Sequence, residues 1–102
     1  MTARLDLRLL GAFHADIDGQ AVPADTWRQG RAASLVKVLA LAPRHRLTRE
    51  QVIEALWPNV AANAGGTNVR KAVHFARRAL GGEGALAVKA GLIELWPAGE
   101  VT

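Results

Sequence analysis

The spacing of apolar residues along this chain changes twice, from the period of a strand to that of a helix and back. This order limits the folds that the chain can adopt. Apolar and polar residues alternate over residues 5–9 and again over 13–17, which is the pattern of a half-buried strand. Asp18 and Gly19 follow, and this pair favours a two-residue hairpin turn because both turn positions need a positive φ. With a return over residues 20–22, the first quarter predicts a small antiparallel meander.

Helical patterns begin after this meander. Residues 31–42 are mostly good helix formers, and their aliphatic side chains cover more than half of a helix circumference, which predicts a largely buried first helix. Those side chains are Leu35, Val36, Val38, Leu39 and Leu41. Thr48 and Gln51 have the spacing of a capping box, so a second helix should begin there and run to about Leu56.

The remaining pattern predicts a loop, a third helix and a hairpin. Asn59 opens a loop rich in alanine, asparagine and glycine, and this loop ends at Gly66. The third helix should cover residues 67–80, because two glycines follow it and end it. Two short strands, residues 86–88 and 92–95, should then form a hairpin.

Positive charge is concentrated in the helical part of the chain. At 102 residues the sequence predicts one α+β domain. The net charge is −2 in the N-terminal sheet (1–27), +8 in the three helices (28–80) and −2 in the final hairpin (81–102). A concentrated basic surface attracts a polyanion, and nucleic acid is the commonest such partner. A solvated basic face without a partner is the other interpretation.

Several function classes fit the composition poorly. The chain has no cysteine, which excludes disulfides and thiolate metal sites. No apolar stretch approaches the length of a membrane span, and Arg4, Asp6 and Arg8 interrupt the apolar residues near the N-terminus, so we expect a cytoplasmic protein without a signal peptide. The three histidines fall on different predicted elements and no cluster has metal-ligand spacing, so we expect neither an enzyme nor a cofactor.

The predicted third helix separates apolar from cationic side chains. At about 100° per residue, one stripe is apolar and consists of Val69, Val73, Ala76 and Leu80. The opposite side holds Thr67, Lys71, His74 and Arg78, with Asn68 and Phe75 on one shoulder and Arg70 and Arg77 on the other. No acid occurs in this segment, although Glu–Lys pairs would stabilise an ordinary surface helix.

Such a helix suits the major groove of duplex DNA. Arginine and lysine read guanine there, asparagine reads adenine, and an apolar group can touch the thymine methyl. Phe75 fits that last role, but it equally fits a shoulder position that covers the core next to Ala72. His74 fits a phosphate contact better than a metal ligand, since no second ligand lies within one turn.

Residues outside this helix are weaker candidates for contacts with DNA. Thr67 behind Gly65 and Gly66 would offer free helix N–H groups to a phosphate. Trp57 could donate its indole N–H to a phosphate or serve as a core aromatic, and Lys89 could touch the minor groove or backbone or simply be solvated. Three arginines at the predicted start of the second helix fit backbone contacts or plain exposure: Arg44, Arg46 and Arg49.

Short motifs occur along most of this chain in a recognisable order. The N-terminal half contains Leu9-Leu10-Gly11-x-Phe13, Asp18-Gly19, and Trp27 ahead of Arg31-Ala32-x-x-Leu35. The helical part contains Leu47-Thr48-Arg49-Glu50-x-Val52-x-Glu54-Ala55-Leu56-Trp57-Pro58, Asn68-Val69-Arg70-Lys71-Ala72-Val73 and Arg77-Arg78-Ala79-Leu80. Together these segments resemble the OmpR/PhoB-type winged helix, in the version found at the N-terminus of SARP and related bacterial transcriptional activators. The resemblance covers nearly the whole chain.

The resemblance implies a four-stranded N-terminal sheet, a three-helix core, a recognition helix at residues 67–80 and a C-terminal wing. It also implies a contact with RNA polymerase through the loop from Asn59 to Gly66. The groove-facing residues would be Arg70, Lys71, His74, Phe75 and Arg78. The wing departs from the family pattern, because residues 91–95 lack its aromatic and basic side chains.

The expected function is therefore sequence-specific binding of double-stranded DNA in transcription regulation, with tandem or dimeric copies on the DNA. A winged helix that serves only as a protein–protein interaction module is the alternative, because a fold does not determine a function.

Overall fold

The computed structural model describes residues 3–9, 13–27, 31–60, 62–97 and 99–101, and these form a mixed α+β structure. The helices in this part are α1 (Ala32–Leu41), α2 (Arg49–Leu56) and α3 (Ala62–Ala79). The strands are β1 (Arg4–Arg8), β2 (His14–Ile17), β3 (Gln20–Ala21), β4 (Arg46–Thr48), β5 (Leu86–Lys89), β6 (Leu92–Leu95) and β7 (Glu100–Val101). None of these helices is both long and apolar enough to cross a membrane.

The first sheet has the strand order β3-β2-β1-β7. Its predicted hairpin turn is confirmed, because Asp18 and Gly19 have φ values of 50° and 83° between the paired residues Ile17 and Gln20. Strand β7 was not predicted, and it lies parallel to β1, with Leu5 opposite Val101. The motif residues Leu10 and Gly11 lie outside the described residues.

The second sheet has the order β4-β6-β5 and contains the predicted C-terminal hairpin. Strand β4 was not predicted, since three residues are too few to show a period. It pairs with β6 through Leu47 and Ile93. The expectation that three arginines start the second helix is therefore wrong for two of them: Arg44 lies in a 3-10 turn and Arg46 lies on β4, whereas Arg49 is the first residue of α2.

Helix α1 contributes the centre of the core through Leu35, Val36 and Leu39, which are fully buried. The prediction that Leu41 is buried with them is wrong, because this side chain is 76% exposed. Two residues along a helix turn the side chain by about 200°, so Leu41 faces away from the side that Leu39 buries.

Helix α2 begins and ends where its sequence predicts. The Gln51 backbone N–H donates to Thr48 Oγ1 at 3.1 Å, and the Thr48 N–H donates to Gln51 Oε1 at 2.9 Å, which confirms the capping box. Val52 and Leu56 are buried in the core.

Helix α3 begins at Ala62, five residues before the predicted start, so the predicted loop from Asn59 to Gly66 is wrong over most of its length. Glycine is unfavourable in a helix by about 1 kcal/mol relative to alanine, which is why the segment predicts a loop. The structure supplies a packing reason for these glycines. A Cβ added at Gly65 would lie 2.8 Å from Ile53 Cγ2, so the glycine allows α3 to approach α2 closely.

The end of α3 is confirmed by its hydrogen bonds. The Gly82 N–H donates to the Arg77 carbonyl at 2.8 Å, and Gly81 adopts a φ of 101° that residues with a side chain rarely adopt. The chain then forms a 3-10 turn at Glu83–Ala85 and enters β5.

Candidate nucleic-acid interface

The inner side of α3 is the predicted apolar stripe. Val69, Val73, Ala76 and Leu80 are all buried in the core cluster, as are the neighbouring Ala72 and Ala79. This stripe fixes the rotation of α3 about its axis, because any other rotation would expose those side chains to water. The rotation in turn determines which polar side chains reach solvent.

The outer side of α3 is exposed and cationic. Five polar side chains on this side are exposed: Thr67, Arg70, Lys71, His74 and Arg78. Lys71, His74 and Arg78 of the predicted face therefore do not pack inward. The helix contains no aspartate or glutamate. Within the described part of the chain, the two ion pairs join Arg4 to Asp6 and His14 to Asp16, both on the first sheet. Neither of these two pairs involves a cation of α3.

The two arginines on one shoulder of this helix differ in how they are held. Arg77 is half-buried, and its Nε and Nη2 both donate to the Leu86 carbonyl, at 3.1 and 2.9 Å. Arg70 is exposed and its Nη2 lies 3.5 Å from Thr67 Oγ1. Arg77 thus links α3 to the start of β5, whereas the contact of Arg70 with a described residue lies within its own helix.

The other shoulder holds Asn68 and Phe75, both half-buried. The Phe75 ring packs against the core and forms an edge-type contact with the His74 ring, with centroids 5.1 Å apart and an interplanar angle of 67°. The interpretation of Phe75 as a shoulder residue that covers the core is therefore confirmed. The exposed part of the ring still lies beside the cationic face.

Trp57 and Lys89 belong to segments other than α3. Trp57 follows the last residue of α2 and packs against the core, in agreement with its interpretation as a core aromatic. Lys89 is the exposed last residue of β5, paired with Leu92 across the hairpin turn at Ala90 and Gly91. The nine predicted site residues thus occupy α3, the end of α2 and the hairpin of the second sheet.

The predicted phosphate site at Gly65, Gly66 and Thr67 is wrong. Only the first four N–H groups of a helix lack a partner within it. Thr67 is the sixth residue of α3, so its N–H is not among those groups and Thr67 does not cap the helix. The Thr67 side chain keeps its place on the exposed face.

No group of three or more histidine, aspartate or glutamate side chains in the described ranges is placed to hold a metal ion. Comparison with protein-family models, with curated proteins and with solved structures found no match. The case for a function is therefore based on the geometry and charge of α3.

Proposed function

We propose that this chain is a winged-helix domain that binds double-stranded DNA sequence-specifically in transcription regulation, with α3 in the major groove. The order of elements supports this proposal: strands β1 to β3, three helices and a β-hairpin follow one another along the described chain, with the short strand β4 between α1 and α2. In this arrangement α2 packs against α3, and the hairpin of β5 and β6 follows α3 after one 3-10 turn.

One observation carries the proposal: the exposed side of α3 is cationic and free of acids, while its other side is buried in the core. A helix about 10–12 Å across fits a major groove about 12 Å wide. The exposed segment from Thr67 to Arg78 spans about 17 Å at a rise of about 1.5 Å per residue. Phosphates and guanine edges would relieve the repulsion among its like charges.

The positions of several of these side chains suggest their roles. Lys71 lies at the centre of the outer side and would read guanine, with Arg78 two turns further along. Asn68 and the exposed edge of Phe75 would contact adenine and a thymine methyl on one shoulder. Lys89 would reach the DNA backbone or minor groove from the hairpin.

The shortened connection between α2 and α3 changes the expected contact with RNA polymerase. Residues 62–66 belong to α3, so only the turn after Trp57 is left for that partner. Pro58, Asn59 and Val60 are exposed there, and the proposal restricts the contact with RNA polymerase to them.

A binding titration over a series of salt concentrations tests the proposal, with a random duplex and a duplex selected from a random pool. With about four to six phosphate contacts, log K should fall against log salt with a slope of about −4 to −5. Lys71→Ala should lower the ratio of the two affinities about tenfold, since one good base contact contributes about 1–3 kcal/mol of discrimination.

Arg8→Ala is the matched control, because it removes one exposed positive charge on β1, in the first sheet. It should leave the affinity ratio unchanged. A salt-independent affinity, or a Lys71→Ala variant that behaves like the control, would contradict the proposal and favour the protein-interaction module.

A further inference from the structure

A surface depression of about 250 Å³ lies beside the C-terminal half of α3, where the turn at Glu83–Ala85 passes next to the helix. Its lining consists of Arg70, His74, Arg77, Arg78, Gly82 and Glu83. Arg70, His74 and Arg77 follow one another at spacings of four and three, so they project from the same side of α3. The side chains of three arginines and one histidine therefore border one small depression.

The Arg77 guanidinium is held in place before any ligand arrives. Two of its N–H groups donate to the Leu86 carbonyl, which fixes the plane of the group. A guanidinium has five N–H donors, so others on Arg77 are left for a ligand. A fixed guanidinium loses less conformational entropy on binding than a mobile lysine or arginine does.

We propose that this depression binds a phosphate group, with Arg70, Arg77 and His74 as its ligands and the sugar–phosphate backbone of DNA as its source. That DNA supplies the phosphate rests on the proposed function, whereas phosphate binding itself can be tested without DNA. Arginine N–H groups at different positions around one depression suit a tetrahedral oxyanion, because its oxygens accept hydrogen bonds from several directions. Arg70 and His74 are then backbone contacts, and base reading is left to Lys71, Arg78 and the opposite shoulder of α3.

Glu83 is the one acid in the lining of this depression. It forms no ion pair with the surrounding arginines among the described residues. A carboxylate at that position repels a phosphate group, so Glu83 limits the affinity of the site. Removing the side-chain charge of Glu83 should therefore strengthen phosphate binding.

The first experiment titrates the full chain with pyrophosphate and follows the arginine Nε–H signals by NMR. We expect saturable shifts at Arg70 and Arg77. Arg70→Ala should weaken binding about tenfold, since a hydrogen bond to a charged group contributes about 1.5–3 kcal/mol. Arg8→Ala removes the same charge elsewhere and should leave binding unchanged. Arg70 is the better target, because Arg77→Ala would also free the Leu86 carbonyl and disturb the fold.

Glu83→Gln tests whether removal of the carboxylate charge strengthens binding. It should strengthen pyrophosphate binding about two- to threefold, as expected for one exposed charge. Glu54→Gln, which changes an exposed acid on α2, is its matched control and should have no effect. Shifts that do not saturate, or equal effects of the two glutamine variants, would overturn the phosphate site.

The second experiment measures duplex binding over a salt series with Arg70→Ala. Loss of one phosphate contact should weaken binding to selected and random duplexes equally and make the salt slope shallower by about one. A change in discrimination with an unchanged slope would overturn this inference and leave the proposed function standing. Saturable pyrophosphate binding without any duplex binding would keep the phosphate site and reject both the DNA source and the proposed function.

Discussion

Replacing Gly65 and Gly66 by alanine, one at a time, should change the stability of the chain in opposite directions. Both glycines lie inside α3, and neither has a positive φ. An added Cβ would meet an atom at 2.8 Å in each case. The two atoms differ in how freely they can move, and this difference decides the sign of the effect.

At Gly65 the nearest atom is Ile53 Cγ2, and two further atoms of the same side chain lie at 3.3 Å. Cγ2 is attached directly to the β-carbon of a half-buried isoleucine, so it moves only if χ1 or the backbone changes. Overpacking of this kind costs about 1–3 kcal/mol. The gain in helix propensity is about 1 kcal/mol, so Gly65→Ala should lower the free energy of unfolding by up to about 2 kcal/mol.

At Gly66 the nearest atom is Arg49 Nη2, the end of a long and exposed side chain. Arg49 can withdraw by rotating its own torsions, and no other atom lies within 4 Å of the added Cβ. The helix-propensity gain then dominates. Gly66→Ala should therefore raise the free energy of unfolding by about 0.5–1 kcal/mol.

Urea unfolding followed by far-ultraviolet circular dichroism measures both effects as shifts of the midpoint at an unchanged m-value. A difference of 1 kcal/mol corresponds to about 4–8 °C in Tm for a domain near this size. Ile53→Ala is the partner variant, since it removes the clashing atoms. In that background Gly65→Ala should raise the stability, by about 1 kcal/mol.

Two results would refute this reasoning. If both alanine variants lowered the stability by similar amounts, residues 65 and 66 would not be helical against α2. If Gly66→Ala weakened phosphate or DNA binding without loss of stability, a glycine-rich phosphate loop would explain these residues better than helix packing.

The remaining predictions concern the capping box of α2 and the buried and exposed sides of α1, and the same urea titration measures both. Thr48→Ala removes the side-chain acceptor of the Gln51 N–H and should lower the free energy of unfolding by about 1 kcal/mol, whereas Thr48→Ser should change it little. An unchanged midpoint for Thr48→Ala would contradict the capping role. Leu39→Ala should cost about 2–5 kcal/mol, because Leu39 is fully buried. The exposed Leu41→Ala should stay within about 0.5 kcal/mol of the parent, and similar losses at both positions would contradict the described rotation of α1.

Features that depend on a few neighbouring residues were predictable from the sequence. The hairpin turn at Asp18 and Gly19 needs only two residues that tolerate a positive φ. The capping box of α2 needs two side chains three positions apart. The apolar stripe and the exposed face of α3 follow from one helical period, so their outward and inward residues were assigned correctly.

Features that depend on distant partners were not predictable in this way. Strand β4 has three residues, and β7 has two, so neither shows a period. Each is stabilised by pairing with a strand 40 or more residues away in sequence, as Leu47 pairs with Ile93 and Leu5 with Val101. The early start of α3 likewise depends on α2, because only the approach of Ile53 explains a glycine in a helix at position 65.

The same division applies to the candidate site. Arg77 was predicted only as a shoulder residue of the third helix, and neither it nor Glu83 was predicted as a site residue, since the depression that they line exists only where the chain turns back beside α3. The hydrogen bonds from Arg77 to the Leu86 carbonyl link residues nine apart on different elements, and no local spacing indicates them.

By itself, the sequence determined which side of α3 is cationic and where α2 begins and ends, because charge, capping residues and helical period belong to consecutive residues. The tertiary structure alone decided where α3 begins and which strands complete the two sheets. It also decided which arginine and histidine side chains border the same depression as Glu83. Those properties arise from distances between segments far apart in the chain, and such distances exist only after the core has packed.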